Sequence, residues 1–229
     1  MLILIDLDGT LLPLDAWEPV FHRVSELIAR EAGVPEAQVY AEAKALNREL
    51  MRRFDVRAFD WDYVFGEVAR RYGVKLSPDV VESSLMEFVG GFRLFDGVFD
   101  ILRLLREFNH EVAIATNGFS KYQSIVIREL GISKYISEIR TPDLIGCPKN
   151  CGEFFRGASA MIGDNPLFDV YYPSIYGLRT IFVGNWESRV KYVLDIWGID
   201  LRGVRPDYMV SNTLELLDLL RRILPKGLI

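Results

Sequence analysis

Asp6 and Asp8 close a short apolar run, Leu2-Ile3-Leu4-Ile5, and three further polar groups stand in the same relation to runs downstream. Thr116-Asn117-Gly118 follows the run at 112–115, Lys149 lies in the loop beyond a weaker run at 138–141, and Gly163-Asp164, with Asp169 close by, follows Ala160-Met161-Ile162. An unbroken apolar run of this length reads as a strand covered on both faces. Residues just past the carboxyl ends of parallel strands converge on one edge of the sheet. Carboxylates gathered there repel one another unless a cation lies among them. Oxygen ligands without His or Cys suit Mg²⁺. Singly, an Asp after a strand is more often a turn or cap residue than a ligand; the ordered set points to chemistry.

These residues need a scaffold, and the apolar periodicity supplies two kinds. From about residue 15 to 91 the spacing is helical, as in Val20, Phe21, Val24, Leu27, Ile28 and again in Val64, Phe65, Val68, Tyr72. Ser77-Pro78 reads as a helix start, and Gly33 and Gly73 as helix stops. Gly90-Gly91 is the expected return hinge. Beyond it, helices are expected at 98–108, 122–130 and 169–176, alternating with strands at 112–115, 138–141, 160–162, 180–183 and 208–210. A last helix opens with Asn212 and Glu215 at capping-box spacing. Alternation of this kind implies an α/β parallel sheet with helices on both faces.

The chain has 229 residues, half of them apolar and 26% charged, an ordinary globular mixture. Its net charge of −5 supplies no basic field for nucleic acid or an anionic membrane, so an anionic ligand must be bound locally. The apolar start is cut short by Asp6 and Asp8 and has no basic residue before Arg23, so neither a signal peptide nor a spanning helix is expected, and a cytoplasmic protein is. Only His22 and His110 are present, which removes most His-based metal sites, and no G-x-S-x-G occurs. His22 reads as a helix-surface residue and His110 as solvated. Cys147 and Cys151 are too few for a zinc site and read as structural thiols, or at most a disulfide.

D-L-D-G-T-L at 6–11, T-N-G at 116–118, Lys149, and G-D-N-P-L-F-D at 163–169 resemble the four ordered motifs of the haloacid dehalogenase (HAD) superfamily. Lys149 is the single lysine between Lys134 and Lys191. The resemblance implies a Rossmann-like α/β core at 1–14 and 92–229 and an inserted helical C1-type cap at 15–91. It implies a Mg²⁺-dependent phosphatase in which Asp6 attacks phosphorus and Asp8 acts as acid and then base. Thr116, the Asn117 amide and Lys149 would bind phosphoryl oxygens. The Asp6 and Asp164 carboxylates and the Asp8 carbonyl would hold the metal, and Asp169 would fix Lys149 or a metal-bound water. A cap over the sheet edge implies a small phosphorylated substrate. Trp17, Phe21 and Arg48 are candidates for its wall, Trp61, Tyr63 and Phe65 read as cap core, and Arg52 and Arg53 as a solvated face. One departure stands out: only seven residues separate Phe155 from Gly163, where relatives usually carry a full helix. A phosphosugar mutase shares this chemistry; a receiver-like phosphoacceptor module is the alternative of another class, opposed by the helical block. Asp8 argues against a dehalogenase.

Overall fold

The computed structural model describes residues 1–227 and contains one six-stranded sheet. Its strands are β1 (Leu2–Ile5), β2 (Glu111–Ala115), β3 (Glu138–Arg140), β4 (Ala158–Gly163), β5 (Arg179–Val183) and β6 (Tyr208–Val210). They lie in the order β3-β2-β1-β4-β5-β6, every pair parallel. β1 is therefore interior, and its side chains alternate between two apolar layers. Ile3 and Ile5 enter the larger core, and Leu4 enters a smaller one with Ala113, Phe154, Phe155 and Met161. That two-sided burial is why the strand is uniformly apolar rather than alternating. The β1 ladder runs one residue further, with Asp6 N–H donating to the Ile162 carbonyl at 2.9 Å, and Thr116 N–H likewise reaches the Arg140 carbonyl at 3.1 Å. Asp6 and Thr116 thus leave the sheet at its edge with their backbones fixed.

After β1 come α1 (Glu18–Ala32), α2 (Glu36–Arg52), α3 (Trp61–Arg71) and α4 (Val80–Phe88), with no strand between Asp15 and Gly91 among the described residues. The apolar stripe of α1, Val20, Phe21, Val24 and Ile28, is buried, and the helix stops at Gly33, whose φ of 70° favours glycine. Ser77-Pro78 forms the turn before α4, which starts two residues later with Asp79 as its cap. The chain returns through a 3₁₀ turn, Val89–Gly91, in which neither glycine adopts a left-handed conformation. The outgoing and returning segments are bonded to each other, Phe95 N–H to the Leu11 carbonyl at 2.8 Å.

The remaining helices are α5 (Val98–Glu107), α6 (Ser120–Glu129), α7 (Pro142–Ile145), α8 (Gly152–Phe155), α9 (Tyr172–Ile175), α10 (Trp186–Trp197) and α11 (Thr213–Ile223). Asn212 caps α11 by accepting from Glu215 N–H, and Glu215 returns a carboxylate oxygen to Ser211 N–H. The helix expected at 169–176 is two pieces: a π-helical turn, Pro166–Tyr171, and then α9. The Asn165 side chain takes Leu167 and Phe168 N–H, and Asp169 Oδ2 takes Asn165 N–H, so the wide turn folds Asp169 back towards the sheet. His110 is half-buried rather than solvated, with Nδ1 unpartnered among the described residues, and burial lowers its pKa. No helix of the described residues is long and apolar enough to cross a membrane.

Candidate active site

Strand ends deliver Asp6, Asp8, Thr116 and Asp164 to one edge, and the connections after β3 and β4 bring Lys149 and Asp169 to meet them. Lys149 is the hub. Its Nζ donates to Asp6 Oδ1 at 2.5 Å, to Asp169 Oδ1 at 2.7 Å and to the Ala115 carbonyl at 3.0 Å, and the residue is 2% exposed. Burial opposes its charge, but Asp169 and Asp6 outweigh that and hold the ammonium above its ordinary pKa. Thr10 Oγ1 donates to the other Asp6 oxygen at 3.2 Å. Lys149 N–H donates to the Asn117 side-chain carbonyl at 3.0 Å, so Asn117 also shapes the lysine loop.

Asp6, Asp164 and Asp169 each offer an oxygen within 4.8 Å of the others, and all three are buried. Asp164 is countered by Arg189 of α10, Nη2 to Oδ2 at 2.5 Å. Burial and then Asp6 nevertheless push its pKa up. When all three carboxylates are ionised they exceed Lys149 and Arg189 by one negative charge. A set of hard oxygen donors with that surplus fits Mg²⁺. Gly9 enforces the packing: its φ is +89°, and a Cβ there would lie 2.5 Å from Asp164 Oδ2. Gly163 plays the same part for Asp169, whose carboxyl group occupies the space a Cβ would need.

The Asp8 carboxylate stands apart from that cluster. Trp17 Nε1 donates to Oδ1 at 2.6 Å and Gln123 Nε2 to Oδ2 at 2.6 Å, while Thr116 Oγ1 lies 3.5 Å from Oδ2. Burial is the largest influence on it and Asp6 adds repulsion; together they overcome the two hydrogen bonds and push its pKa up to about 6. Asp8 can therefore carry a proton near neutrality.

These groups open into a cavity of about 510 Å³ between the sheet edge and the helical block. Trp17 and Phe21 line it, as expected of substrate-wall candidates; Arg48 does not and is exposed on α2. Trp61 packs on the core, as expected, and also reaches the wall, whereas Phe65 is fully buried. Lys44 is a wall residue that strand-end reasoning missed, its Nζ 5.4 Å from the centres of the Phe21 and Tyr40 rings and 5.8 Å from that of Trp61. Arg189 and Gln123 were missed for the same reason: they come from helices. Asp8, Asp164 and Lys149 were reachable because each follows a strand.

The chain matches the family model described as haloacid dehalogenase-like hydrolase over residues 1–184. A Bacillus subtilis (strain 168) protein named as a HAD-hydrolase, YfnB, is 25% identical over 228 residues, covering 92% of this chain and 94% of that protein. Its magnesium-bound structure superposes with a TM-score of 0.64 at 23% identity, covering 96% of this chain and 97% of that one. A HAD phosphatase from Thermococcus onnurineus gives a TM-score of 0.73 at 20% identity, covering 95% and 96%. The L-2-haloacid dehalogenase of Xanthobacter autotrophicus gives 0.61 at 13% identity, covering 97% and 98%. With its motifs on the strand ends of a parallel sheet and most of its length matched, the chain belongs to the haloacid dehalogenase-like hydrolases.

Proposed function

We propose that the protein is a Mg²⁺-dependent phosphomonoesterase acting in the cytoplasm on a small phosphorylated metabolite, with residues 15–91 as its cap. The observation that carries this reading is the setting of Asp8: half-buried beside Asp6 and held by Trp17 and Gln123, a place where desolvation pushes its pKa up to about 6. A phosphate ester with a basic leaving oxygen needs an acid there, and displacement of a halide does not. The size of the cavity and its cover of helices suit a small substrate, and the net charge of −5 disfavours nucleic acid.

Asp6 attacks phosphorus in line, the new Asp6 oxygen–phosphorus bond forming as the ester oxygen departs. Asp8 gives its proton to that oxygen. Asp8, now a carboxylate, takes a proton from the water that attacks the aspartyl phosphate, and Asp6 is released with inorganic phosphate. The Lys149 ammonium, Thr116 hydroxyl and Asn117 amide bind the phosphoryl oxygens, and Asp169 keeps Lys149 in place. Asp6, Asp164 and the Asp8 carbonyl would hold Mg²⁺, with Asp169 adjacent. When bound, the metal neutralises phosphate charge so that a carboxylate can approach it.

The test is phosphate release from a panel of phosphorylated metabolites and, in parallel, halide release from 2-haloacids, each with Mg²⁺ and with EDTA. Mg²⁺-dependent phosphate release is expected. Halide release without phosphate release, or full phosphatase activity in EDTA, would overturn the reading.

A further inference from the structure

Lys149 is the middle residue of a covalent ring. Cys147 and Cys151 are joined across Cys-Pro-Lys-Asn-Cys, with their Cα atoms 6.4 Å apart. Little regular structure holds this loop. α7 ends at Ile145, Gly146 turns the chain at a φ of 91°, and α8 begins at Gly152 and lasts four residues. The loop's own polar ties are Lys149 N–H on Asn117 Oδ1 at 3.0 Å, Asn150 N–H on the Pro148 carbonyl at 2.6 Å, Phe154 N–H on the Cys151 carbonyl at 3.2 Å and Tyr176 OH on the Asn150 carbonyl at 3.4 Å.

The Lys149 ammonium is anchored on Asp6, Asp169 and the Ala115 carbonyl, but these anchors do not last equally through turnover. In the proposed reaction the Asp6 carboxylate becomes an acyl phosphate and gives up the charge that attracts Nζ. For that half of the cycle Nζ keeps Asp169, the Ala115 carbonyl and the phosphoryl oxygen it binds, while the lysine backbone is placed by its own loop, whose covalent part is the disulfide. Cys147 and Cys151 are both partly exposed, Cys151 packing on the smaller apolar core, whereas Lys149 is buried, so the disulfide is the more open part of this loop.

We propose that Cys147–Cys151 is a thiol-modification site that positions Lys149: an external dithiol opens the ring and lowers turnover, and reoxidation restores it. A thiolate of the dithiol attacks one cysteine sulfur and the protein S–S bond breaks, giving a mixed disulfide. The second thiol then closes the reagent's own disulfide. Two electrons and two protons pass to the protein, leaving two thiols. A ring this short removes less chain entropy than a long one, so the reduced protein stays folded and the effect falls on placement. Displacement of a reacting group by about 1 Å costs up to about a hundredfold in rate. The activity readout rests on the phosphatase reading.

The experiment uses the full chain with Mg²⁺ and p-nitrophenyl phosphate, comparing protein oxidised with glutathione disulfide, the same protein reduced with dithiothreitol, the reoxidised protein, and a C147S/C151S double variant. Alkylation with mass measurement counts thiols, none expected after oxidation and two after reduction. The expected result is a fall in kcat of about ten- to a hundredfold on reduction, with KM changed less, recovered on reoxidation. The double variant should match the reduced protein and ignore dithiothreitol. Hydrogen exchange in EDTA should show faster exchange of the Lys149 amide in the reduced protein. Two alkylatable thiols persisting after oxidation, a kcat within twofold after both thiols appear, or a double variant as fast as the oxidised protein would overturn the proposal. Should the oxidised protein hydrolyse no phosphate ester, the functional reading fails, and the exchange comparison still decides whether the disulfide fixes Lys149.

Discussion

Replacing Lys149 with Met removes the one ammonium that faces two buried carboxylates, at 2.5 and 2.7 Å. The side chain keeps much of its volume, so the change is chiefly electrostatic. Breaking a buried ion pair by removing one partner costs about 3–5 kcal/mol, against a total stability on the order of 5–15 kcal/mol; the variant is therefore expected to fold. Asp6, Asp164 and Asp169 would then face Arg189 alone, changing the local balance from one surplus negative charge to two. The cheapest relief is to bind a proton, which raises a folded-state carboxyl pKa above its unfolded value. A group raised in this way stabilises the fold at low pH, and that contribution is lost as pH rises through the folded pKa. The destabilisation must accordingly grow from pH 5 to pH 8, by up to about 1.4 kcal/mol per pH unit for each proton involved. Urea unfolding followed by circular dichroism, in EDTA at both pH values, measures it. A cost below about 1 kcal/mol at pH 8, or one equal at the two pH values, would refute the assignment of Lys149 as the charge that holds this cluster together.

Asp8→Asn should slow hydrolysis of an alkyl phosphate about 10²–10⁴-fold and that of p-nitrophenyl phosphate much less, since an aryl oxide leaves without an acid; an unchanged ratio of the two rates counts against Asp8 as the acid. In wild-type protein without metal, the pKa values of Asp8, raised to about 6, and Asp164, raised to about 8, predict a melting temperature that falls as pH rises from about 4 through about 8. Mg²⁺ should reverse that fall, and a flat profile would contradict it. Gly9→Ala should cost about 1–3 kcal/mol from the backbone alone and displace Asp164 as well, so thermal unfolding and Mg²⁺ titration should both weaken.

The sheet and the residues that meet at its edge were legible because parallel strands announce themselves as apolar runs and deliver the next residues to a single edge. Asp6, Thr116 and Asp164 are read this way, as is the extent of the helical block. Helical residues obey no such rule: the 3.6-residue period tells which face is apolar but not where a side chain such as Gln123 or Arg189 ends. Trp17 was visible as an aromatic at the start of the block, yet its N–H bond to Asp8 depends on how that block seats on the sheet. The π turn at Pro166–Tyr171 was hidden because Asn165 and Asp169, two side chains binding backbone, outweigh the helical propensity of the segment. Pairing of Cys147 with Cys151 depends on the loop bringing two Cα atoms within range, which spacing alone leaves open.

α10 touches both halves of the molecule. Near its start, Arg189 holds Asp164; at its end, Trp197 Nε1 donates to the Met51 carbonyl at 2.8 Å, and the Ile196 carbonyl accepts from Arg52 Nε at 3.0 Å. Arg189 and Trp197 lie about 12 Å apart along one helix, short enough to move as a rigid rod. A shift of the α2 end relative to the sheet therefore tilts the rod and moves the guanidinium that presents the Asp164 carboxylate. Met51, Arg52 and Trp197 are in this way tied to that oxygen through a single helix, which works as a lever between the helical block and the acidic cluster.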